Sequence, residues 1–278
     1  MAEVCPLNNL EKILLATDGS EFSSGAVSEA INLAGKCSSR ITAIAVVEAN
    51  EEYASEAPQL VEKAEAEAVE SLASVKEQAA AASADCDTAV HTGDSPYRII
   101  VDEAKKNGAE LIIMGRRGRT GIAKVAMGSV TARVIGHAPC DVLVVPRDGA
   151  ADYKKILVAT DGSPHGEAAA AEAIKMAKKT DGSLIALSVA RSEAKIPEAE
   201  QSVLKVKQMA EAESIACETL TVTGKNYVEI VEKAKENGAS LIVVGCYGRT
   251  GLGRLLMGSV TERVIGHAPC AVLVTLVS

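Results

Sequence analysis

Two segments of the chain are nearly identical. Residues 127–140 read MGSVTARVIGHAPC and residues 257–270 read MGSVTERVIGHAPC, so they differ only at Ala132 and Glu262. Each is preceded by a second match, MGRRGRTG and VGCYGRTG, and each half begins alike, with KILLATDGS and KILVATDGS. In a chain of 278 residues this duplication predicts two copies of one domain. We place the domains at residues 1–147 and 153–278, joined by the polar linker Arg147–Asp152.

Composition excludes several classes of protein. A net charge of −8 argues against non-specific nucleic-acid binding, and the apolar runs are too short to span a bilayer. The first residues do not resemble a secretory signal, and the seven cysteines are an odd number. We therefore expect a cytoplasmic protein with reduced thiols and no contact with membranes.

Apolar runs alternate with amphipathic segments in each half. Ile13–Ala16, Ile41–Val47 and Leu111–Met114 are typical of strands that are covered on both faces. The alternation predicts an α/β fold with a doubly wound parallel sheet and helices on both faces. Asp18 and Asp161 are 143 positions apart but Gly115 and Gly245 only 130, so the second copy lacks 13 residues. We expect the extra residues of the first copy to form a surface loop between its second and third strands.

The repeated segments contain a motif suited to phosphate. A Gly-x-x-Gly pair follows an apolar run, and nine residues later Gly-Ser precedes a helical pattern. The glycines let the chain turn and present bare amides, and the serine is expected at the N-cap of a helix. An anion there would meet N–H groups and a hydroxyl at the positive end of the helix dipole. The alternative to anion binding is a purely structural role, in which the glycines form a turn and Gly-Ser is an ordinary helix cap. The motif is neither a Walker A loop nor a Rossmann fingerprint.

The ordered Asp, Gly-x-x-Gly and Gly-Ser elements resemble the ATP-binding type of the universal stress protein family, in its tandem form. The resemblance covers essentially the whole chain. It implies flavodoxin-like domains, each with a five-stranded parallel sheet of order 3-2-1-4-5. It also implies that the two domains pair through their last strands, Val142–Val145 and Val272–Thr275, as an internal pseudo-dimer.

The resemblance implies a nucleotide site in each domain. Asp18 and Asp161 would contact ribose or Mg²⁺, Val46 and Val189 would meet the adenine edge, and the glycine loops would hold phosphates. The expected ligands are ATP, ADP or AMP with Mg²⁺. The candidate residues of the first site are Ala16, Thr17, Asp18, Val46, Met114, Gly115, Arg117, Gly118, Gly128, Ser129 and Val130. Those of the second site are Ala159, Thr160, Asp161, Val189, Val244, Gly245, Tyr247, Gly248, Gly258, Ser259 and Val260.

The two predicted sites are not identical. Arg116 and Arg117 lie inside the first glycine pair, where the second pair has Cys246 and Tyr247, so we expect both sites to bind, with unequal affinity. The nearby cation Arg249 would favour a Cys246 thiolate with a redox role. The other repeated cysteines, Cys86, Cys140, Cys217 and Cys270, are expected as small buried apolar groups.

Three functions are compatible with the pattern. The first is a stress-response regulator whose nucleotide occupancy modulates conformation or partner binding, and it is the one we favour. The second is a slow ATPase or phosphotransferase, although the motif supplies no evident general base. The third is a scaffold without a ligand. No catalytic residue is assigned, and we expect an association of two tandem chains and a protein partner that the sequence does not identify.

Overall fold

The computed structural model describes residues 4–118, 127–149, 151–248 and 257–277. Within them the strands form one ten-stranded sheet of order β3-β2-β1-β4-β5-β10-β9-β6-β7-β8. The strands of the first half are β1 Lys12–Ala16, β2 Arg40–Glu48, β3 Cys86–Gly93, β4 Leu111–Gly115 and β5 Asp141–Val145. Those of the second half are β6 Lys155–Ala159, β7 Ser183–Ala190, β8 Cys217–Thr223, β9 Leu241–Gly245 and β10 Ala271–Thr275.

Helices connect these strands on both faces of the sheet. In the first half they are α1 Ser24–Cys37, α2 Glu51–Glu56, α3 Pro58–Ala81, α4 Pro96–Asn107 and α5 Ser129–His137. In the second half they are α6 Pro164–Thr180, α7 Ile196–Ala212, α8 Asn226–Glu236 and α9 Ser259–His267. Helix α4 ends where Gly108 adopts a left-handed φ of 62°. None of the helices in the described ranges is long and apolar enough to cross a membrane.

The strand order and the domain pairing confirm the predicted fold. Within each half all neighbouring strands are parallel, in the order 3-2-1-4-5. The halves join through β5 and β10, which are antiparallel and place Leu143 opposite Leu273. The chain therefore folds as a pseudo-dimer about an approximate two-fold axis, because the same strand of each half meets its counterpart.

Each face of the sheet carries an apolar core that crosses the domain boundary. Ile13 and Leu15 point to the face covered by α1, α3, α6 and α7, whereas Leu14 and Ala16 point to the face of α4, α5, α8 and α9. This alternation follows from the two-residue period of a strand. Since both faces are buried at the centre of the sheet, strands β1, β4, β5, β6, β9 and β10 are apolar at nearly every position, whereas the edge strands β3 and β8 are more polar.

The linker is fixed to the first domain rather than loosely tethered. Arg147 pairs with Glu21 at 2.8 Å, and Ala151 N donates to Glu29 Oε2 at 3.3 Å. The Tyr153 hydroxyl donates to the same carboxyl group, and both side chains are almost completely buried. Burial raises the pKa of Glu29.

Two expectations from the sequence were wrong. The longer connection of the first half is not a loop, because its extra residues form α2 and extend α3 to 24 residues, compared with 17 in α7. The thiols are not all reduced, because Cys5 and Cys37 form a disulfide. The N-terminal segment returns along the end of α1 and brings the two Cα atoms within 4.5 Å. The other five cysteines are free.

Candidate functional site

In each half the motif elements come together at the carboxyl ends of the central strands. Ala16 lies beside Met114 in the β1–β4 pair, and Ala159 lies beside Val244 in the β6–β9 pair. The loops that follow these strands therefore leave the sheet side by side. Strand order reverses there, which is the usual ligand position in an open parallel sheet.

In the second domain these loops surround a cavity of about 350 Å³. Every residue predicted for the second site lines it: Ala159, Thr160, Asp161, Val189, Val244, Gly245, Tyr247, Gly248, Gly258, Ser259 and Val260. The volume is within the range of small-molecule sites. Its lining includes the apolar side chains of Leu187, Val189 and Ile230, together with the glycine loop and the start of α9.

Three charged residues and one asparagine that were not predicted also line this cavity. They are Arg191, Lys195, Glu198 and Asn226. They lie beyond the strand ends and outside the repeated motifs, so comparison of the two halves did not reveal them. Lys195 Nζ pairs with Glu198 Oε1 at 2.5 Å.

The aspartate of each half is held by the turn that follows it. Asp18 Oδ1 accepts from Ser20 N at 3.0 Å and from Ser20 Oγ at 2.7 Å. Asp161 Oδ1 accepts from Ser163 N at 3.0 Å. The intervening glycines have left-handed φ angles of 72° and 75°, which explains the Asp-Gly-Ser sequence.

The second glycine of each pair is required by close packing. A Cβ atom on Gly118 would lie 2.7 Å from Asp18 Oδ2, and one on Gly248 would lie 2.8 Å from Asp161 Oδ2. Neither glycine has a positive φ, so this close packing, and not a left-handed backbone, is the reason that the positions need glycine. The glycine loop and the aspartate instead form one surface in which no side chain separates them.

The Gly-Ser step begins a helix one residue earlier than predicted. The N-caps of α5 and α9 are Gly128 and Gly258, and Ser129 and Ser259 are the first helical residues. The N-terminal amides of such helices have no partner within the helix and carry the positive end of its dipole. The structure thus places the expected donors at the cavity, with glycine rather than serine as the cap.

A threonine that sequence reasoning missed fastens this helix to the preceding strand. Thr131 Oγ1 donates to Gly115 O at 3.1 Å, and Thr261 Oγ1 donates to Gly245 O at 3.0 Å. The available signal was the threonine shared by both copies of the Gly-Ser-Val-Thr sequence. It closes the base of the loop and fixes the helix N-terminus relative to the sheet.

The residues suit a magnesium nucleotide better than a metal bound by protein alone. Among the described residues no group of three or more His, Cys, Asp or Glu side chains could hold an ion. Mg²⁺ is commonly held by one or two carboxylates together with phosphate oxygens. Asp18 and Asp161 each supply one carboxylate beside a glycine loop, so they fit an ion that arrives with its phosphates.

The residue that follows the first glycine of each loop, Arg116 or Cys246, contacts the opposite domain. Arg116 Nη1 donates to Gly266 O at 2.9 Å, near the end of α9. The Cys246 thiol lies 3.8 Å from Ile135 O, near the end of α5. Each loop therefore touches the C-terminal turn of the helix whose N-terminus faces the other site.

The prediction of a reactive Cys246 thiolate was wrong. The side chain is fully buried between the domains, and burial raises its pKa to about 11. Burial likewise raises the pKa of Cys140 and of Cys270 to about 12. Arg249, the cation expected to activate Cys246, lies outside the described residues. So do Arg119, Lys124 and Arg254, the other cations that the sequence places near the two glycine loops.

The remaining asymmetry concerns the middle of each glycine pair. Tyr247 lines the cavity, and its ring meets that of His165 edge-on at 5.2 Å between centroids. Arg117 occupies the matching position of the first domain, and its Nε is buried without a hydrogen-bond partner among the described residues. The first site thus offers a cation where the second offers an aromatic hydroxyl.

Comparisons with known proteins agree with the fold. The model of the universal stress protein family matches residues 9–146 and 152–275. A universal stress protein of Methanocaldococcus jannaschii is 40% identical over 144 residues, which cover 46% of this chain and 85% of that protein. One of Mycobacterium tuberculosis H37Rv is 32% identical over 185 residues, 60% of this chain and 62% of its own length. The crystal structure of a universal stress protein from Archaeoglobus fulgidus superposes with a TM-score of 0.77 at 25% identity, covering 96% of this chain and 99% of that one.

Proposed function

Since the chain belongs to the universal stress protein family, we propose that it binds one adenine nucleotide in each domain and that occupancy modulates its contacts with partner proteins. The observation that carries the proposal is the cavity of the second domain. The residues predicted for this site from the sequence converge on its wall, from the ends of β6, β7 and β9 and the start of α9. Chance placement of unrelated turns would not produce such a common surface.

The two ends of the cavity suit the two ends of a nucleotide. The N-terminal amides of α9, Ser259 and the bare backbone of Gly248 supply donors for phosphate. Val189 and Leu187 offer an apolar wall for a flat base. Asp161 also lines the cavity, and its carboxylate accepts hydrogen bonds, so it suits ribose hydroxyls or a phosphate-bound Mg²⁺.

The contacts between the domains supply a route for regulation. Binding at the start of α9 would order a helix whose far end accepts the hydrogen bond of Arg116. Arg116 belongs to the glycine loop of the first site. A nucleotide in one domain thereby acts on the loop of the other, which is the coupling that a regulatory protein requires.

Nucleotide binding by the purified full chain tests the proposal. We expect calorimetry with ATP and Mg²⁺ to give two nucleotides per chain, and heat denaturation to release nucleotide that absorbs at 260 nm. Release of ADP with turnover would indicate the slow ATPase instead. Absence of both binding and a thermal shift would contradict the proposal, since ligand at 100 times its Kd stabilises a protein by about 2.7 kcal/mol.

Glycine variants provide matched controls. Gly248→Val places atoms against the Asp161 carboxylate and should lower the stoichiometry from two to one, as should Gly118→Val in the first domain. Gly35→Ala lies in α1, where an added Cβ has no neighbour nearer than 4.0 Å, and should retain both sites. If each valine variant still bound two nucleotides, the glycine loops would not form the binding sites.

A further inference from the structure

The segment of residues 4–10, which precedes β1, is fastened to both domains. A disulfide joins Cys5 to Cys37, the last residue of α1 in the first domain. Lys179, near the end of α6 in the second domain, donates from Nζ to Leu7 O at 2.7 Å. We call residues 4–10 the strap, because they reach from one domain to the other on the sheet face that carries α1 and α6.

The strap covers part of the apolar core of that face. Leu7 and Leu10 are buried, and both belong to the core cluster that also contains side chains of α1 and α6. Ser39 Oγ donates to Leu10 O, so the end of the strap beside β1 has an attachment of its own. The disulfide and the Lys179 hydrogen bond therefore hold the other end of the strap, before Leu10.

The disulfide can be reached by a small reductant, whereas the other cysteines are poor reactants. Cys5 and Cys37 are only half-buried. Burial raises the pKa of the thiol of each of the five free cysteines, which are Cys86, Cys140, Cys217, Cys246 and Cys270. Because thiol–disulfide exchange proceeds through a thiolate, these five thiols are not suited to attack the disulfide, and an external thiol is needed.

We propose that the disulfide between Cys5 and Cys37 is a reversible redox site, which takes a dithiol reductant and controls whether the strap is fastened across the two domains. A thiolate of the reductant attacks Cys37 Sγ, the bond between the protein sulfurs breaks, and Cys5 leaves with the electron pair and takes up a proton. Cys5 is the leaving group because Cys37 ends a helix, where unpaired carbonyl groups disfavour a thiolate. The second thiol of the reductant then displaces Cys37, which takes up another proton. The reductant becomes a disulfide and the protein gains two thiols, with transfer of two electrons and two protons.

Reduction loosens the strap without parting the domains. Once the disulfide is open, the Lys179 hydrogen bond and the burial of Leu7 hold that end of the strap. A segment tied by such contacts opens locally more often than a crosslinked one. Opening uncovers Leu7 and separates the strap from α6. The β5–β10 pairing remains, so the two domains stay joined while the contact between the strap and α6 is lost.

Limited proteolysis of the full chain in its two redox states tests the proposal. One sample is kept oxidised, and the other is treated with dithiothreitol and then freed of it under nitrogen, so that the reductant does not affect the protease. Chymotrypsin cleaves after exposed leucine, and the intact mass identifies the loss of residues 1–7. We expect cleavage after Leu7 to be faster by about tenfold or more in the reduced protein, because cleavage follows the population of the opened state. Cleavage after Tyr53, which is exposed in α2, should be equal in both samples.

Three variants separate the redox site from a general effect of reduction. The double variant Cys5→Ser with Cys37→Ser should be cleaved after Leu7 at the fast rate with or without dithiothreitol. Cys217→Ser removes a half-buried free thiol instead and should keep the full redox response. Lys179→Met removes the other attachment and should accelerate cleavage of the reduced protein further. Equal cleavage of the oxidised and reduced wild type, or a disulfide that dithiothreitol opens only in the unfolded protein, would overturn the proposal.

Discussion

A buried aspartate in the seam between the domains should make stability depend on pH. Asp141 begins β5, and its Oδ1 accepts from Leu276 N at 2.9 Å, just beyond β10. Burial is the main reason that its pKa rises from an ordinary value of 3.8 to about 6. Glu172 of α6 adds to the rise, while the hydrogen bond from Leu276 and the charge of Lys175 oppose it.

The sign of the effect follows from which form the fold prefers. Below pH 3.8 the carboxyl group is protonated in both the folded and unfolded states and costs nothing. As pH rises through about 6, the folded protein must accept a buried negative charge, so stability is lost. At 1.36 kcal/mol per pKa unit, the loss is at most about 3 kcal/mol above pH 7 and about 1 kcal/mol at pH 4.5.

Asp141→Asn isolates this contribution because the amide oxygen still accepts the Leu276 hydrogen bond and carries no charge. We expect urea unfolding, followed by circular dichroism, to show the variant more stable than the wild type by at most about 3 kcal/mol at pH 7.5. The advantage should shrink to about 1 kcal/mol at pH 4.5. Asp141→Ala removes the acceptor and should gain less at pH 7.5. A pH-independent difference between Asn and Asp would refute burial of the charge as the cause.

Three further changes probe other parts of the fold. Tyr153→Phe removes the donor to buried Glu29 and should lower the free energy of unfolding by about 1–3 kcal/mol, whereas equal stability would show that the hydrogen bond is dispensable. Cys5→Ser or Cys37→Ser opens a disulfide with a sequence separation of 32 and should lower the free energy of unfolding by about 3–4 kcal/mol. Reducing agent should lower the stability of the wild type to the same level. Equal stability of the wild type and the variants would contradict the crosslink. Cys246 should resist alkylation in the native protein with or without ATP and react on unfolding; rapid native labelling would contradict its burial.

The repeat and the apolar runs were sufficient to predict two α/β domains with parallel sheets, because strands such as Leu111–Gly115 are buried at every position. The strand order and the pairing of the two last strands were instead expected from the resemblance to a known family. The longer connection was predictable only in part. The helical spacing of Val61, Ala68, Leu72, Val75 and Ala79 predicts a helix there, and α3 confirms it. Comparison of the halves only counts the additional residues, so it suggested a surface loop and did not reveal α2.

The site was predictable where its residues repeat and unpredictable where they do not. Asp161 and Gly248 recur as Asp18 and Gly118, and the structure brings each pair into contact. Arg191 lies outside the repeated motifs, so comparison of the two halves did not identify it. The burial of Cys246 depends on α5 of the other domain, and the sequence around Cys246 gives no sign of that contact.

Because β5 and β10 join the halves within one chain, the sequences of the two halves can diverge independently. If the halves were two separate subunits that met through identical edges, they would form homodimers as well as the heterodimer, and dilution would dissociate all of them. Within one polypeptide the partners are always present in a one-to-one ratio, at a local concentration independent of expression level. Each half is therefore free to acquire its own ligand preference, as an obligate heterodimer would, without competition from self-pairing.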